Sequence, residues 1–582
     1  MTSTTEKKAR TKRTAESMAS EHRSISISEF FTKNAHLLGF DNPRKALLTT
    51  VKEAVDNSLD ACEEAGILPD IEVSLLAVDG RDDRFIVTVT DNGPGIPQKN
   101  LPRVFGKLLY GSKFHRLRMS RGQQGIGISA AGMYGMLTTG KALRVISRPG
   151  EKADAFETEL TIDTKTNEPV VIKEKKVDWR PGSGIEVAIE LKGKYLKGRQ
   201  SVDEYMEQTA VANPHAEFTY IMPDKSVRHF PRGVEKLPPE AKEIKPHPYG
   251  VELGMLIKML KDTKESTLSS FLCEEFSRVG PGVAKQICDA AKLSTRARPS
   301  STAHKEAESL WNAIQATKII APPTDCLSPI GVEQILKGMH KELGAEFYTA
   351  VTRKPTVYRG NPFAIEVGLA FGGQLPMDEL ARVMRFANRV PLLYQSGACA
   401  ISKAVQDVSW KNYGVSQSKG APPTGPLVIL VHMASVWVPF TNESKEAIAD
   451  YDIIRDEIDL AVKDCARKLG LYTRRRARAL NEARRRDVFE NYIDEVCRAV
   501  ESITGKKTEE LKKQLKAMAK EKTELANLLD QESAEGDAEK LEKDTSTIIV
   551  EENIPAAPET EGNLLGEDNP PKKKSRKPKD EE

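Results

Sequence analysis

The spacing of apolar residues along this 582-residue chain changes period several times, and each change predicts an element. Val51, Ala54, Val55, Leu59 and Cys62 recur at helical spacing and define a buried stripe. Glu53, Asn57 and Asp60 fall at i, i+4 and i+7, on a second face of the same helix. Asp41-Asn42-Pro43 predicts where that helix starts, and Gly66 with Leu68-Pro69 where it stops. Ile71–Ala77 and Phe85–Thr90 alternate, which predicts a hairpin around Asp79-Gly80. From Ala142 to about Phe230 the pattern is one of short strands and turns, with alternation over Arg144–Ser147, Ala155–Ile162, Val170–Lys173 and Gly184–Leu191. A proline-dotted run to Pro248 gives way to four helical segments, Leu253–Leu260, Ser269–Phe276, Val283–Ala291 and Ala303–Ala316. After Pro322-Pro323 the pattern predicts helices over Ile335–Glu342, Met377–Phe386 and Cys399–Val408. It predicts strands over Thr356–Tyr358, Phe363–Phe371 and Leu427–Trp437, and one opening at Val390–Tyr394. A helix from Glu446 to Leu469 follows, overlapping a long last helix from Tyr451 through about Ile503, and then a Lys/Glu-rich helix over Thr508–Leu529.

Length alone suggests about four domains, and 39% apolar residues is enough to fill real cores. The total charge is nearly balanced, 87 basic against 84 acidic residues, so its distribution carries the information. Residues 1–27 are basic, Ser/Thr-rich and expected to be disordered, as is a charged tail over 531–582 that ends in a Lys572–Lys579 cluster suited to a nuclear signal or a nucleic-acid tether. Phe30 and Phe31 sit in an arm that needs a partner surface, in the same domain or on a second copy of the chain. Arg474, Arg475, Arg476, Arg478, Arg484, Arg485 and Arg486 crowd the last long helix, as a site for DNA phosphates or an acidic partner would. Seven scattered cysteines without a CxxC pair argue against disulfides and a structural zinc. No apolar stretch is long enough to span a bilayer and the start has no secretory pattern, so a soluble intracellular protein without a membrane partner is expected: cytoplasmic and nucleoid-associated in a prokaryote, nuclear in a eukaryote.

The chemistry concentrates between residues 53 and 128. A carboxylate one turn from an amide oxygen suits a site that holds a divalent cation and orients a water. Asp91-Asn92-Gly93-Pro94-Gly95-Ile96 follows the second strand directly, so Asp91 points into the space between sheet and helix, where it can accept a hydrogen bond from an exocyclic amine. Gly111-Ser112-Lys113 opens a basic stretch that leads to Arg121, Gly122, Gln123, Gln124, Gly125, Ile126, Gly127, Ile128 and Ser129. Three glycines before a helix start expose backbone N–H groups to an anion, and the segment between Gly111 and Gly122 has the make-up of a lid.

Taken together and in this order, the three motifs resemble the ATP-binding (GHKL, or Bergerat) fold shared by gyrase, Hsp90, histidine kinases and MutL. That resemblance implies an α/β sandwich holding ATP and Mg2+, with Glu53 as general base, Asn57 as magnesium ligand and Asp91 reading adenine. It implies that Asp60, Gly95, Ser112, Lys113 and the loop Arg121–Ile128 surround the nucleotide. FLCEEFSRVGPGVAKQIC resembles a helix-two-turns-helix module, whose glycine turn and nearby Lys285 suit a DNA phosphate. The later β-rich region resembles the transducer of gyrase-like proteins, which implies that Lys445, in PFTNESKEAIA, reaches back to the γ-phosphate.

This arrangement resembles the B-subunit family of DNA topoisomerase VI, a type IIB enzyme. The expected fold is α+β and multidomain: a basic segment 1–27, the ATPase domain with its arm over 28–232, a helix-two-turns-helix domain over 233–321, a transducer over 322–472, C-terminal helices over 473–530 that contact an A subunit, and the tail. The resemblance implies an ATP-hydrolysing subunit that dimerises on ATP binding and passes double-stranded DNA. It also implies an A2B2 heterotetramer with an A subunit that carries the cleaving tyrosine. A chaperone or mismatch-repair ATPase with the same first domain is the alternative.

Overall fold

The computed structural model describes residues 14–19, 22, 25–26, 29–30, 33–111, 113, 116–122, 125–180, 182–442, 444–518, 521 and 549–551. Expectations for 1–13, for Phe31 and for the tail other than 549–551 lie outside these residues. The chain divides into two units, one of residues 1–473 with 539–551 and one of 474–538 with 552–582.

The first unit begins around helix α1, Pro43–Glu64. Asn42 caps it by accepting the Lys45 N–H at 2.9 Å, and Pro43 stands where no backbone donor is needed. Its apolar stripe, Val51, Val55 and Leu59 among others, lies at 0% exposure against an eight-stranded sheet. The strands are β1 (Asp70–Val78), β2 (Arg81–Asp91), β3 (Leu143–Arg148), β4 (Ala155–Asp163), β5 (Glu168–Val177), β6 (Gly184–Lys192), β7 (Glu217–Ile221) and β8 (Val227–Phe230). They run in the order β5-β4-β3-β6-β2-β1-β7-β8, antiparallel except for the parallel pair β1·β7. Helices α2 (Leu101–Gly106), α3 (Gly127–Thr139) and α4 (Val202–Ala212) complete the layer. α4 corrects the expectation of strands and turns throughout 142–230. Ser201 caps it by accepting the Glu204 N–H, and Tyr205, Met206 and Ala210 enter the core, a burial that local pattern alone understated.

Residues 253–316 form α5 (Leu253–Asp262), α6 (Leu268–Glu275), α7 (Pro281–Ala290) and α8 (His304–Ala316), with a core of their own around Leu260, Phe271, Ile287 and Leu310. The following region holds α9 (Val332–Glu342) and α10 (Ala400–Asp407) on strands β9 (Phe347–Thr352), β10 (Thr356–Tyr358), β11 (Asn361–Phe371), β12 (Arg382–Ala387), β13 (Val390–Pro391) and, after the small pair β14 (Ser416–Gln417) and β15 (Pro423–Thr424), β16 (Leu427–Ser435). The second sheet runs β13-β12-β16-β11-β9-β17, with β17 being Ile549–Glu551 and β10 pairing β11. β17 places three residues of the expected disordered tail on a sheet edge. β9 was not anticipated.

Two helix expectations fail here. Residues 382–387 form a strand parallel to β16, not a helix. Met384 and Phe386 fill one hydrophobic cluster while Val383 and Ala387 face another, so two-sided burial overrides the helical propensity of the segment. The long helix α11 runs Asp452–Thr504, and Glu446 is outside it. Ala447 and Ile448 are instead buried in a closed loop bridged Phe440 to Ile448. In the second unit, residues 509–518 are helical, and Lys512 pairs with Asp494 at 2.9 Å. Among the described residues no helix is long and apolar enough to cross a membrane.

One buried acid on α1 gives a stability test. Asp56 accepts the Tyr205 hydroxyl at 3.1 Å inside the core, and burial pushes its carboxyl up to about 7 from 3.8. The folded chain therefore holds this proton more tightly than the unfolded chain does. The acid costs nothing below about pH 4, destabilises progressively as pH rises towards 7, and its cost is constant above that. Asp56→Asn should match the native melting temperature near pH 4 and exceed it at pH 8, by at most ~4 kcal/mol in unfolding free energy; a pH-independent difference in calorimetry would refute this.

Candidate active site

A cavity of about 570 Å³ lies between α1, the end of β2, the start of α3 and the loop at Ser444-Lys445. That volume is within the range of small-molecule sites. Glu53 and Asn57 line it from the same face of α1, one turn apart. Neither side chain has a hydrogen-bond partner among the described residues, so both are available to a ligand. The first residue of α3, Gly127, packs on the Glu53 carboxylate: a Cβ there would lie 1.7 Å from Oε2. A side chain at 127 would displace either the acid or the loop.

Asp91, the last residue of β2, is 4% exposed and lines the same cavity. Its Oδ2 accepts the Ser58 hydroxyl at 2.7 Å, and its Oδ1 accepts the N–H groups of Gly93 at 3.0 Å and Ile185 at 3.2 Å. Burial nevertheless pushes its carboxyl above the usual range. Oδ1 is filled by its two donors, and Oδ2 keeps lone-pair capacity for one more. Gly95, with φ +72°, leaves the strand in a turn where a Cβ would sit 2.3 Å from the Arg148 carbonyl oxygen, so only glycine fits.

At the phosphate-loop end the structure departs from expectation. Asp60 and Arg121 do not line the cavity; they pair with each other beside it. Arg121, 6% exposed, donates to Asp60 Oδ1 at 2.9 Å, to both Glu63 oxygens at 2.8 and 2.7 Å, and to Asn213 Oδ1 at 2.6 Å. Asp60 Oδ2 also meets Lys113 Nζ at 2.5 Å and the Gly122 N–H at 3.3 Å. His215 Nε2 stands 2.7 Å from Glu63. Burial alone would raise the Glu63 carboxyl, but Arg121 and His215 more than reverse it and hold it well below the carboxylate range. A buried guanidinium needs such partners, and two carboxylates on one helix face supply them. Lys113, Gly95, Gly122, Gly125, Ile126, Gly127 and Ile128 do line the cavity. Ser112, Gln123 and Gln124 lie outside the described residues.

Lys445 reaches the cavity from the loop after β16, and its Nζ donates to the Arg121 carbonyl oxygen at 3.2 Å. Its φ of +53° is left-handed, an uncommon backbone for a non-glycine residue. Among the described residues no three acidic, His or Cys side chains converge to bind a metal. Sequence pattern missed Ser58, although it follows Asn57 directly. It also missed Glu63, Asn213 and His215, because their partner Arg121 is brought to them only by the fold.

Comparisons with known proteins bear on the chain as a whole. A family described as histidine kinase-, DNA gyrase B- and HSP90-like ATPase matches residues 42–165, and one described as topoisomerase VI B subunit, transducer, matches residues 322–485. The B subunit of type 2 DNA topoisomerase 6 from Methanosarcina barkeri is 52% identical over 459 residues, covering 79% of this chain and 74% of the relative. Its counterparts from Archaeoglobus fulgidus, 50% identical with 79% and 76% covered, and Pyrococcus abyssi, 38% identical with 90% and 100% covered, agree. An ATPase fold at the front, a transducer behind it and relatives matched along most of their length lead to one conclusion: the chain belongs to the family of type 2 DNA topoisomerase 6 B subunits.

Proposed function

We propose that the cavity holds Mg-ATP and that its hydrolysis drives double-strand passage. The chain is the ATP-binding and ATP-hydrolysing subunit of a DNA topoisomerase, working with an A subunit on DNA. The observation that supports the site reading is the pair Glu53 and Asn57, a turn apart and without side-chain partners among the described residues, lining one cavity with a lysine delivered by the transducer.

In this reading the base sits against Asp91, and the carboxylate selects adenine by accepting from its exocyclic amine. Asn57 would hold magnesium through its amide oxygen, a ligand that needs no acidic cluster, and none is found among the described residues. The ion would supply counter-charge to the phosphates. Gly125 and Gly127 offer backbone N–H groups at the N-terminus of α3. Glu53 takes the proton of the attacking water, and Lys445 meets charge building on the γ-phosphate oxygens. Loss of that phosphate removes the counter-charge of Lys445 and lets the transducer move. Two copies close on ATP binding, with the arm at Phe30, 43% exposed, crossing between them, and A2B2 is the working assembly. Binding of this arm to the second copy is part of the proposal. So are the domain limits 28–232, 233–321 and 322–472, and A-subunit contact by 473–530. The α6–α7 turn at Gly280 and the start of α7, with Gly282 and Lys285 exposed, are the proposed DNA contact.

Glu53→Ala should bind ATP with near-native affinity yet lose roughly two or more orders of magnitude in kcat; single-turnover hydrolysis at the native rate would remove Glu53 from its role. Asp91→Asn presents a donor to the adenine amine and should weaken ATP binding by ~1–3 kcal/mol in calorimetry while GTP binding weakens less. ATP-dependent decatenation should require the A subunit, and Lys445→Ala should reduce both ATP turnover and the number of passages per ATP.

A further inference from the structure

The loop carrying Lys445 is anchored by the residue next to it. Glu446, 5% exposed, forms an ion pair with Lys45 Nζ on the first turn of α1. Lys45 also meets Asp41 at 3.1 Å and lies over the Tyr394 ring, 5.5 Å from its centroid. Burial would lower the Lys45 ammonium, but Glu446 and Asp41 more than compensate and hold it above the usual lysine range. Lys45 and Glu53 are eight residues apart on α1, which is ~12 Å of helix. One rigid rod therefore carries both the base and the anchor of the lysine loop.

The loop itself is closed. Thr441 N–H donates to the Ala447 carbonyl at 2.9 Å, and Asn442 exchanges hydrogen bonds with Glu446 at 3.3 Å. Lys445 sits at its apex in the left-handed region, a conformation that costs free energy and persists only when its neighbours impose it. Burying an ion pair gives little net stability, because desolvation offsets the attraction. What this pair supplies is position: it fixes the residue after Lys445 to the helix that holds Glu53.

We propose that Glu446 is a positioning residue for Lys445, acting through its ion pair with Lys45 to set the lysine against the phosphate end of the cavity. The inference rests on the reading of Lys445 as the γ-phosphate contact.

The test is steady-state ATP hydrolysis by the full chain with magnesium, comparing the native protein with Glu446→Gln, Lys45→Met, their double variant, Lys445→Ala and Glu446→Gln/Lys445→Ala, with melting temperatures alongside. Glu446→Gln and Lys45→Met should each lower kcat roughly tenfold while KM for ATP stays within about twofold. Their combination should be no worse than either alone, and Glu446→Gln should add nothing once Lys445 is alanine. If Lys445→Ala slows hydrolysis and Glu446→Gln does not, the inference falls and the nucleotide reading stands. If Lys445→Ala hydrolyses ATP at the native rate, the reading of Lys445 falls and takes the inference with it. Additive losses, or losses that track melting temperature and raise KM equally in both backgrounds, mean that Glu446 acts through stability and overturn its positioning role. Should Glu446→Gln fail to fold, Lys45→Met against Lys445→Ala decides by the same comparison.

Discussion

A guanidinium without water is the constraint that organises the nucleotide end of this protein. Arg121 is 6% exposed, and its charge is balanced by Asp60 and Glu63, both on α1. Removing one partner of such a buried cluster leaves an unpaired charge, at a cost of ~3–5 kcal/mol. The loop that follows Arg121 is therefore fastened to the helix that carries Glu53 and Asn57. Gly127 can approach that helix because it has no Cβ to intervene. The carbonyl of Arg121 is left facing Lys445, which donates to it from the loop after β16. The same residue thus locks the loop on one side and receives the transducer on the other.

Contacts between the two sheets extend this coupling. The turn between β12 and β13 holds Asn388 and Arg389 at φ of 47° and 67°. Asn388 donates to the Ser120 carbonyl at 2.9 Å, next to Arg121, and to the Ser435 carbonyl at 2.9 Å. Met119 N–H donates to the Cys326 carbonyl at 3.0 Å. Residues 119–121 are therefore held through their backbone by the region beyond 320, while their glycine-rich continuation faces the cavity. Behind the turn, Glu366 and His432 form a fully buried pair at 2.7 Å, and Glu366 also accepts the Ile330 and Gly331 N–H groups at 2.7 Å. With the Thr352 hydroxyl donating to Oε1 at 2.7 Å, every acceptor site of that carboxylate is used for structure, in contrast to Glu53.

Much of this was legible in the sequence, for reasons that separate by range. α1 could be read because its cap, its apolar period and its polar face agree. The turn after Asp91 could be read because glycine and proline restrict the backbone locally. Residues 202–212 and 382–387 could not. Their conformation is decided by what they pack against, α4 by the core beneath Tyr205 and β12 by β16, and neither neighbour is near in sequence. The partner of Asp60 was hidden for the same reason. Its spacing put it on the polar face of α1 with Glu53 and Asn57, but it pairs with an arginine 61 residues away, beside the cavity.

The loop around Lys445 shows why an amphipathic pattern can extend a helix too far. Glu446, Ala447 and Ile448 continue the apolar period of α11 backwards, yet the helix begins at Asp452. Had the helix started at Glu446, Lys445 would have been its cap and would have pointed wherever the axis of α11 dictated. The closed loop instead turns Ala447 and Ile448 into the core and reverses the chain at a left-handed residue. That reversal aims the ammonium at the carbonyl of Arg121, away from the helix it precedes. A helical geometry would tie the lysine to the motion of α11 alone. The loop ties it to α1 as well, through the Glu446–Lys45 ion pair, so both elements hold Lys445 at the edge of the cavity.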